Sequence, residues 1–176
     1  MHVQESPGDR SSKEVALAAL YDEYYDKIAR YVFVRIGDRA EAEDLAGEVF
    51  LKALKSLDSY KERGIPMRAW LFKIAHNLVV DYLRQVAKRK TVPIDTVDVA
   101  AVSDLQATAE INVERTRLAK ALAQLTPSQR WVIELRFFGG LTSEEAGRIL
   151  NKSSGAVREM QRAAIKHLRQ LLYEEP

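Results

Sequence analysis

Apolar residues recur at steps of three and four along most of this chain, and this spacing is the strongest constraint on its fold. In the first long segment these residues share one helix face: Leu17, Leu20, Tyr21, Tyr24, Ile28, Tyr31 and Val32. No stretch alternates between apolar and polar residues for long enough to indicate a β-strand. The sequence therefore predicts an all-α fold.

Helix boundaries are marked by capping residues. Gly37 ends the first predicted helix, and Asp38 with Glu41 forms a capping-box pattern that opens a second. The second helix is expected to run to about Leu57, and the third from near Met67 to Lys88. About four more helices follow, with starts at Thr126-Pro127, Thr142 and Ser153 or Ser154.

Residues 91–112 differ in composition from both flanks. They include Pro93, carry four acidic residues (Asp95, Asp98, Asp104 and Glu110) and contain neither Lys nor Arg. We interpret them as a flexible acidic linker between two small helical domains. The predicted organisation is a flexible tail at residues 1–12, a first domain at 13–90, the linker, and a second domain at 113–176.

Composition excludes several function classes. The chain has no Cys and only three well-separated His, so we expect neither a thiolate nucleophile nor a metal site. It also lacks a phosphate-binding loop and a nucleophile elbow, so we expect no cofactor and no enzymatic activity. The longest clean apolar run is far shorter than a membrane span, and the start lacks a secretory signal. These features predict a cytoplasmic protein without membrane insertion.

The C-terminal part has the pattern of a helix-turn-helix. Gly139-Gly140 ends one helix, Thr142 opens a short one, and Asn151-Lys152 makes a tight turn before the last helix. That last helix projects mainly cations outward: Arg158, Arg162, Lys166 and Arg169, with Glu159 as the opposing acid. Such a helix fits the DNA major groove, although a solvated basic face on an ordinary bundle is the alternative.

The predicted second helix has an unusual outward face. At about 100° per residue, one side takes the core residues Ala42, Ala46, Val49, Phe50, Ala53 and Leu57. The other side carries Glu41, Asp44, Glu48, Leu51 and Lys55. An apolar residue ringed by carboxylates is typical of a docking site for a basic partner. A catalytic or metal-binding pair of carboxylates is disfavoured because no His or third ligand accompanies them.

The predicted third helix combines cations, an amide and an indole in one narrow sector: Trp70, Lys73, Asn77, Val80, Arg84 and Lys88. Cations attract phosphates, an amide can contact a base edge, and an exposed indole can stack on an unpaired base. This mixture suits single-stranded nucleic acid. The alternative is that Trp70 belongs to the core and the cations are a solvent-exposed face.

Together these segments resemble the extracytoplasmic-function, or group IV, sigma factors of bacterial RNA polymerase. The resemblance rests on Glu43–Phe50, on Trp70–Leu78 continuing to Asp81–Arg84, and on the C-terminal helix-turn-helix, in the family's order. It covers roughly residues 14–172. It implies a region 2 domain and a region 4 domain, with core RNA polymerase (clamp helices and flap) and promoter DNA as partners. An anti-sigma factor is a further possible partner.

The resemblance also assigns candidate sites to this sequence. Core polymerase binding falls on Asp44, Glu48 and Phe50, with Leu51 from the outward face; Phe50 lies on the core side and is expected to support the docking helix. Contacts with the minus 10 element fall on Tyr60, Trp70, Lys73, Asn77, Arg84 and Lys88, with Tyr60 to Ile65 forming the loop that holds a flipped base. Contacts with the minus 35 element fall on Ser153, Arg158, Glu159, Arg162 and Lys166.

The chain departs from the family pattern at three positions. Gly47 stands where Gln is usual, Lys73 replaces a common Arg, and Ala163 occupies a position where Arg is frequent. The alternative function is a stand-alone helix-turn-helix regulator that binds duplex DNA without polymerase. The Trp70 to Arg84 face distinguishes the two, because a duplex-only regulator does not need it.

Overall fold

The computed structural model describes residues 7–61, 65–90 and 109–173, and these ranges contain α-helices and no β-strand. The helices are α1 (Pro7–Ile36), α2 (Arg39–Lys55), α3 (Met67–Lys90), α4 (Ala109–Ala123), α5 (Pro127–Ile133), α6 (Ser143–Leu150) and α7 (Ser154–Tyr173). A 3₁₀ turn at Leu57–Ser59 follows α2, and a π-helical turn at Glu134–Phe138 extends α5. The all-α prediction is confirmed. No described helix has the length and apolar character needed to cross a bilayer.

The capping residues found in the sequence do begin these helices. Asp38 accepts a hydrogen bond from the Glu41 amide at 3.0 Å, and Thr126 and Thr142 each open a complete capping box. Gly37 ends α1 with φ = 74°, a conformation that a side chain would strain. Local backbone chemistry therefore sets these boundaries.

Two predicted boundaries need correction. The helix α1 already begins at Pro7, so residues 7–12 of the predicted flexible tail are helical. Pro at a first helical position and the Asp9–Lys13 and Arg10–Glu14 ion pairs one turn apart favour this extension. Similarly, α4 begins at Ala109, so residues 109–112 of the predicted linker are helical. Residues 1–6 and 91–108 lie outside the described part of the chain.

The first three helices form one bundle. Tyr31 and Val32 of α1, Val49 of α2, and Phe72 and Val79 of α3 are fully buried in its core. The Tyr31 and Phe72 rings meet edge to face, with centroids 5.6 Å apart. The apolar faces of the three helices thus cover one another.

The last helices form the predicted helix-turn-helix. Asn151, with φ = 55°, makes the left-handed turn between α6 and α7, and the Ser153 hydroxyl accepts a hydrogen bond from the Ala156 amide. Gly147 lies where the two helices meet: a Cβ there would come within 2.4 Å of the Lys152 carbonyl oxygen. This close backbone approach requires glycine.

The two groups of helices pack against each other. The buried residues Val132, Leu135 and Leu141 belong to the same apolar cluster as Tyr31 and Phe72. Trp131 lies between the groups, with its ring centroid 6.2 Å from that of Tyr31 and 4.0 Å from that of His76. The chain is therefore folded back on itself around one shared core.

A buried carboxylate lies at this junction. Glu134 is fully buried, and Arg130 Nε donates a 2.8 Å hydrogen bond to its Oε1. Arg35 of α1 brings a second guanidinium, with Nε 3.5 Å from Glu134 Oε2, and stacks 3.9 Å from the Trp131 ring centroid. Burial raises the pKa of Glu134, and the two arginines oppose that rise. The carboxylate thus depends on charges from both helix groups.

His76 of α3 is enclosed at the same junction. Its Nδ1 lies 3.3 Å from the Tyr31 hydroxyl, and Arg35 is close enough to act on it electrostatically. Burial, with a smaller contribution from the Arg35 charge, lowers the pKa of His76 from 6.5 to about 4. The imidazole is therefore neutral at pH 7, and in the tautomer that carries its proton on Nε2 the Nδ1 atom accepts a hydrogen bond from the Tyr31 hydroxyl.

We expect Gly147→Ala to destabilise the protein by roughly 2–4 kcal/mol, because the added methyl group would overlap the Lys152 carbonyl. Gly47→Ala is the matched control, since a Cβ there meets nothing within 4 Å and Ala favours a helix interior by up to about 1 kcal/mol. Urea unfolding followed by circular dichroism measures both. Equal stability of the two variants would contradict the close approach of α6 and α7.

We also expect acidification to weaken the fold through His76. The unfolded chain takes up this proton near pH 6.5, whereas the folded chain resists it down to about pH 4. The free energy of unfolding should therefore fall as pH drops through this window, by up to about 3 kcal/mol.

Urea titrations between pH 7 and 4.5 would measure this loss in the wild type, in His76→Gln and in the control His167→Gln. Glu134 acts in the opposite direction, because an acid with a raised pKa favours the folded state as pH falls. The difference between wild type and His76→Gln isolates the histidine. Identical pH profiles for these two proteins would contradict the prediction.

Candidate nucleic-acid and protein interfaces

The outward face of α2 has the predicted apolar centre and acidic rim. Leu51 is 58% exposed and Leu54 43% exposed, while Asp44 and Glu48 are also at the surface. Glu48 lies 3.7 Å from Lys52, a solvent-exposed pair of little energetic weight. Exposed large apolar side chains next to carboxylates are chemically suited to a partner with apolar and basic groups.

Phe50 lies beneath this face, as expected from its position on the core side of α2. It is 7% exposed and packs against Tyr21 and Tyr25 of α1, with ring centroids 4.9 Å and 6.3 Å away. Tyr25 also donates a hydrogen bond to the Glu43 carbonyl at 3.2 Å. Phe50 therefore supports the docking helix from inside and offers little surface to a partner.

The α3 sector presents its cations and amide to solvent. Lys73, Asn77, Arg84 and Lys88 are all exposed on one side of the helix. Arg84 lies 3.9 Å from Asp81, and both side chains are 63% exposed, so this contact leaves the guanidinium accessible. These four side chains form a surface that can meet phosphates and base edges.

Tyr60 and Trp70 have a different environment. Trp70 is partly buried, and its ring centroid lies 5.0 Å from that of Tyr60. Tyr60 is only 7% exposed and donates a 2.9 Å hydrogen bond to the Ile65 carbonyl. The expectation of a direct Tyr60–DNA contact does not fit this burial: the side chain holds both ends of the loop and supports Trp70. Residues 62–64 of that loop lie outside the described residues.

The predicted recognition residues on α7 lie together at the surface. Ser153, Arg158, Glu159, Arg162 and Lys166 are exposed. Arg162 donates to Glu159 at 2.9 Å, with both side chains largely exposed. This hydrogen bond holds the Glu159 carboxylate beside the Arg162 guanidinium, so the two side chains can contact adjacent groups of one ligand.

The structure adds residues that the sequence patterns did not single out. Arg136, from the π-helical turn, donates to the Gln161 side chain of α7 at 2.9 Å and to the Leu141 carbonyl. With Arg158, Arg162 and Lys166 it lines an open cavity of about 630 Å³. Arg136 was missed because it precedes the helix-turn-helix, and only tertiary packing brings it to α7. The positively charged side chains that line this cavity make it suitable for binding a phosphate backbone.

The models of two protein families match the chain. "Sigma-70 region 2" matches residues 20–89, which contain the α2 and α3 surfaces, and "Sigma-70, region 4" matches residues 121–170, which contain the helix-turn-helix.

Characterised relatives agree over nearly the whole chain. SigL of Mycobacterium tuberculosis, an ECF RNA polymerase sigma factor, is 30% identical over 169 residues, covering 95% of this chain and 94% of the relative. SigX of Bacillus subtilis is 32% identical over 171 residues, covering 92% and 88%. BldN of Streptomyces coelicolor is 33% identical over 164 residues, covering 91% of this chain but only 61% of BldN.

Solved structures show the same fold. CnrH, determined in complex with the cytosolic domain of CnrY, aligns with a TM-score of 0.70 at 23% identity, covering 95% of this chain and 94% of CnrH. RpoE of Bartonella quintana, determined with NepR, aligns with a TM-score of 0.72 at 23% identity, covering 90% and 98%. With both sigma regions matched in order, this chain belongs to the extracytoplasmic-function family of RNA polymerase sigma factors.

Proposed function

We propose that this protein is a transcription initiation factor that binds core RNA polymerase in the bacterial cytoplasm and directs it to particular promoters. The observation that carries the proposal is the presence of three separate exposed surfaces, on α2, α3 and α7, in one sigma-type chain. Each surface has a different chemistry. A stand-alone regulator would need the α7 surface alone.

The α2 surface is proposed to dock on core polymerase. Its apolar centre, Leu51 and Leu54, supplies contact area, and the carboxylates of Asp44 and Glu48 select a basic partner surface. Gly47 is partly buried and a Cβ there would meet nothing within 4 Å, so its departure from the family pattern leaves the helix intact. The proposed docking surface therefore keeps its apolar centre and its two carboxylates in the presence of Gly47.

The α3 surface is proposed to hold the melted minus 10 element. Lys73, Arg84 and Lys88 attract the strand, and Asn77 can hydrogen-bond the edge of an unpaired base. Trp70 packs against Tyr60 and is partly buried, so only part of its ring is available to stack on a base. Contacts made solely with unpaired bases offset the few kcal/mol needed to open each step of the duplex.

The α7 surface is proposed to bind the minus 35 element as a duplex. Arg158 and Arg162 would contact base edges or phosphates, and Arg136 and Lys166, which line the same cavity, would add positive charge beside them. Glu159 would accept from a cytosine amino group in the major groove. Arg136 also fixes α7 through Gln161, so it positions the recognition helix.

The central experiment is gel filtration of the chain with bacterial core RNA polymerase, followed by single-round transcription from a promoter library. Co-elution with new start sites supports the proposal. Failure of a folded chain to co-elute, combined with tight salt-dependent duplex binding without polymerase, would instead identify a stand-alone regulator.

We predict that Leu51→Asp weakens polymerase binding by about 30-fold or more, because it removes the apolar centre of the docking surface and adds an acid there. Leu51→Met is the matched control and should bind like wild type, since volume and apolarity are kept. Titration of labelled protein with core polymerase measures both affinities. Normal binding by Leu51→Asp would remove α2 from the docking role.

We predict that Asn77→Ala abolishes promoter opening while polymerase binding stays within about twofold, because Asn77 is exposed and the proposal assigns it contacts with unpaired bases alone. Gln85→Ala, which removes an exposed amide outside the α3 sector, is the control. Permanganate reactivity of unpaired thymines reports opening. Loss of polymerase binding by Asn77→Ala would show a structural role for this residue.

A further inference from the structure

We infer that Gly47 opens a recess in the docking surface of α2, and that a long cationic side chain of core RNA polymerase, lysine or arginine, enters this recess. The partner is the one proposed for α2 above, so the inference rests on the proposed function. It gives a specificity-determining role to a residue that departs from the family pattern.

The recess lies beside the apolar centre of the docking surface. Gly47 is partly buried in the middle of α2, and a Cβ there would meet nothing within 4 Å. At about 100° per residue, Gly47 lies about 40° from Leu51 and about 20° from Leu54 around the helix. Both leucines are exposed, one and two turns further along α2. The missing side chain therefore leaves open space next to two apolar side chains.

Aromatic side chains of α1 border the same turn of α2. Tyr25 donates a hydrogen bond to the Glu43 carbonyl, four residues before Gly47. The Tyr25 ring centroid also lies 6.3 Å from that of Phe50, three residues after Gly47. Tyr21 is 46% exposed, and its ring centroid lies 4.9 Å from that of Phe50 and 5.2 Å from that of Tyr25. Aromatic rings of α1 thus border the recess along with the exposed leucines.

Carboxylates surround these rings. Burial raises the pKa of the Tyr25 hydroxyl, and the neighbouring Tyr21 adds to this rise. Three carboxylates act in the same direction: Glu43, Asp26 and Asp44. All three are exposed, so they remain available to a partner. The recess therefore combines apolar walls with an acidic surround.

A long cationic side chain fits both features. Its methylene groups can pack on Leu51 and on the tyrosine rings, while its charged end reaches the carboxylates. The ring faces also attract a cation directly. An uncharged apolar side chain would fill the same space without any gain from the acids, and an acidic side chain would be repelled.

The fold by itself does not account for glycine at this position. Gly147 is required because α6 and α7 approach each other closely there, whereas a Cβ at Gly47 would meet nothing within 4 Å. Glycine is also a poorer helix former than every residue except proline. The absent side chain therefore has its effect at the surface, where it keeps the recess open.

Filling the recess separates its role in binding from its role in folding. Gly47→Gln should weaken core polymerase binding about 10-fold and Gly47→Ala about threefold, because the added atoms occupy the space of the partner side chain. Both variants should nevertheless unfold at higher urea concentration than wild type, since alanine and glutamine favour a helix. Titration of labelled protein with core polymerase measures the affinities, and circular dichroism measures unfolding.

Ala16→Gln is the matched control for the longer side chain. Ala16 is exposed on α1 and lies about 180° around that helix from Tyr25, so this variant should bind polymerase like wild type. Unchanged or tighter binding by Gly47→Gln would overturn the recess, because the side chain usual in the family would then add a contact or none. Absence of binding by the wild type would instead overturn the proposed function.

A double-mutant cycle tests the charge of the occupant. Asp26→Asn is chosen because Asp26 is exposed on α1, whereas Arg39 already lies 3.2 Å from Glu43. Asp26→Asn should weaken polymerase binding about threefold in the wild type and cause no further loss in Gly47→Gln, where the cation no longer enters. Equal losses in both backgrounds, or no loss in the wild type, would overturn the cationic occupant.

Discussion

The arrangement of this protein depends on one fully buried carboxylate, Glu134, at the junction of its two helix groups. A buried charge is costly unless it is paired, and Glu134 is paired by Arg130 from its own group and by Arg35 from the other. Trp131 and His76 enclose the same site. The relative placement of the two groups is therefore set by charge neutralisation as well as by apolar packing.

This junction leaves the outward surfaces of α2, α3 and α7 exposed. Leu51, Asn77 and Arg158 lie on three different helices, and none of them belongs to the buried junction. The protein thus keeps three chemically distinct surfaces around one core. The proposed function assigns these three surfaces to polymerase, an opened strand and a duplex, respectively.

Local chemistry made much of this structure predictable. The core side of α2, from Ala42 to Ala53, is buried as its spacing predicts, and Asp38 and Thr142 cap the helices they were expected to begin. Spacing along a single helix does not show an environment that is built by residues outside that helix. Tyr60 is buried because its hydroxyl binds Ile65 and its ring meets Trp70, which spacing on one helix does not show.

By itself, the sequence determined the helices, their caps, and the outward faces of α2, α3 and α7, because these depend on spacing within one or two turns. It also determined the family, because three motifs follow one another in the family's order. Only the tertiary structure decided that Arg35 meets Glu134, that Arg136 joins the α7 surface, and that the two groups share a core. The two members of each such pair are far apart in the sequence. They meet only because the helix faces that carry them pack against each other. An isolated Arg or Glu looks the same in a sequence whether it is solvated or forms a buried pair.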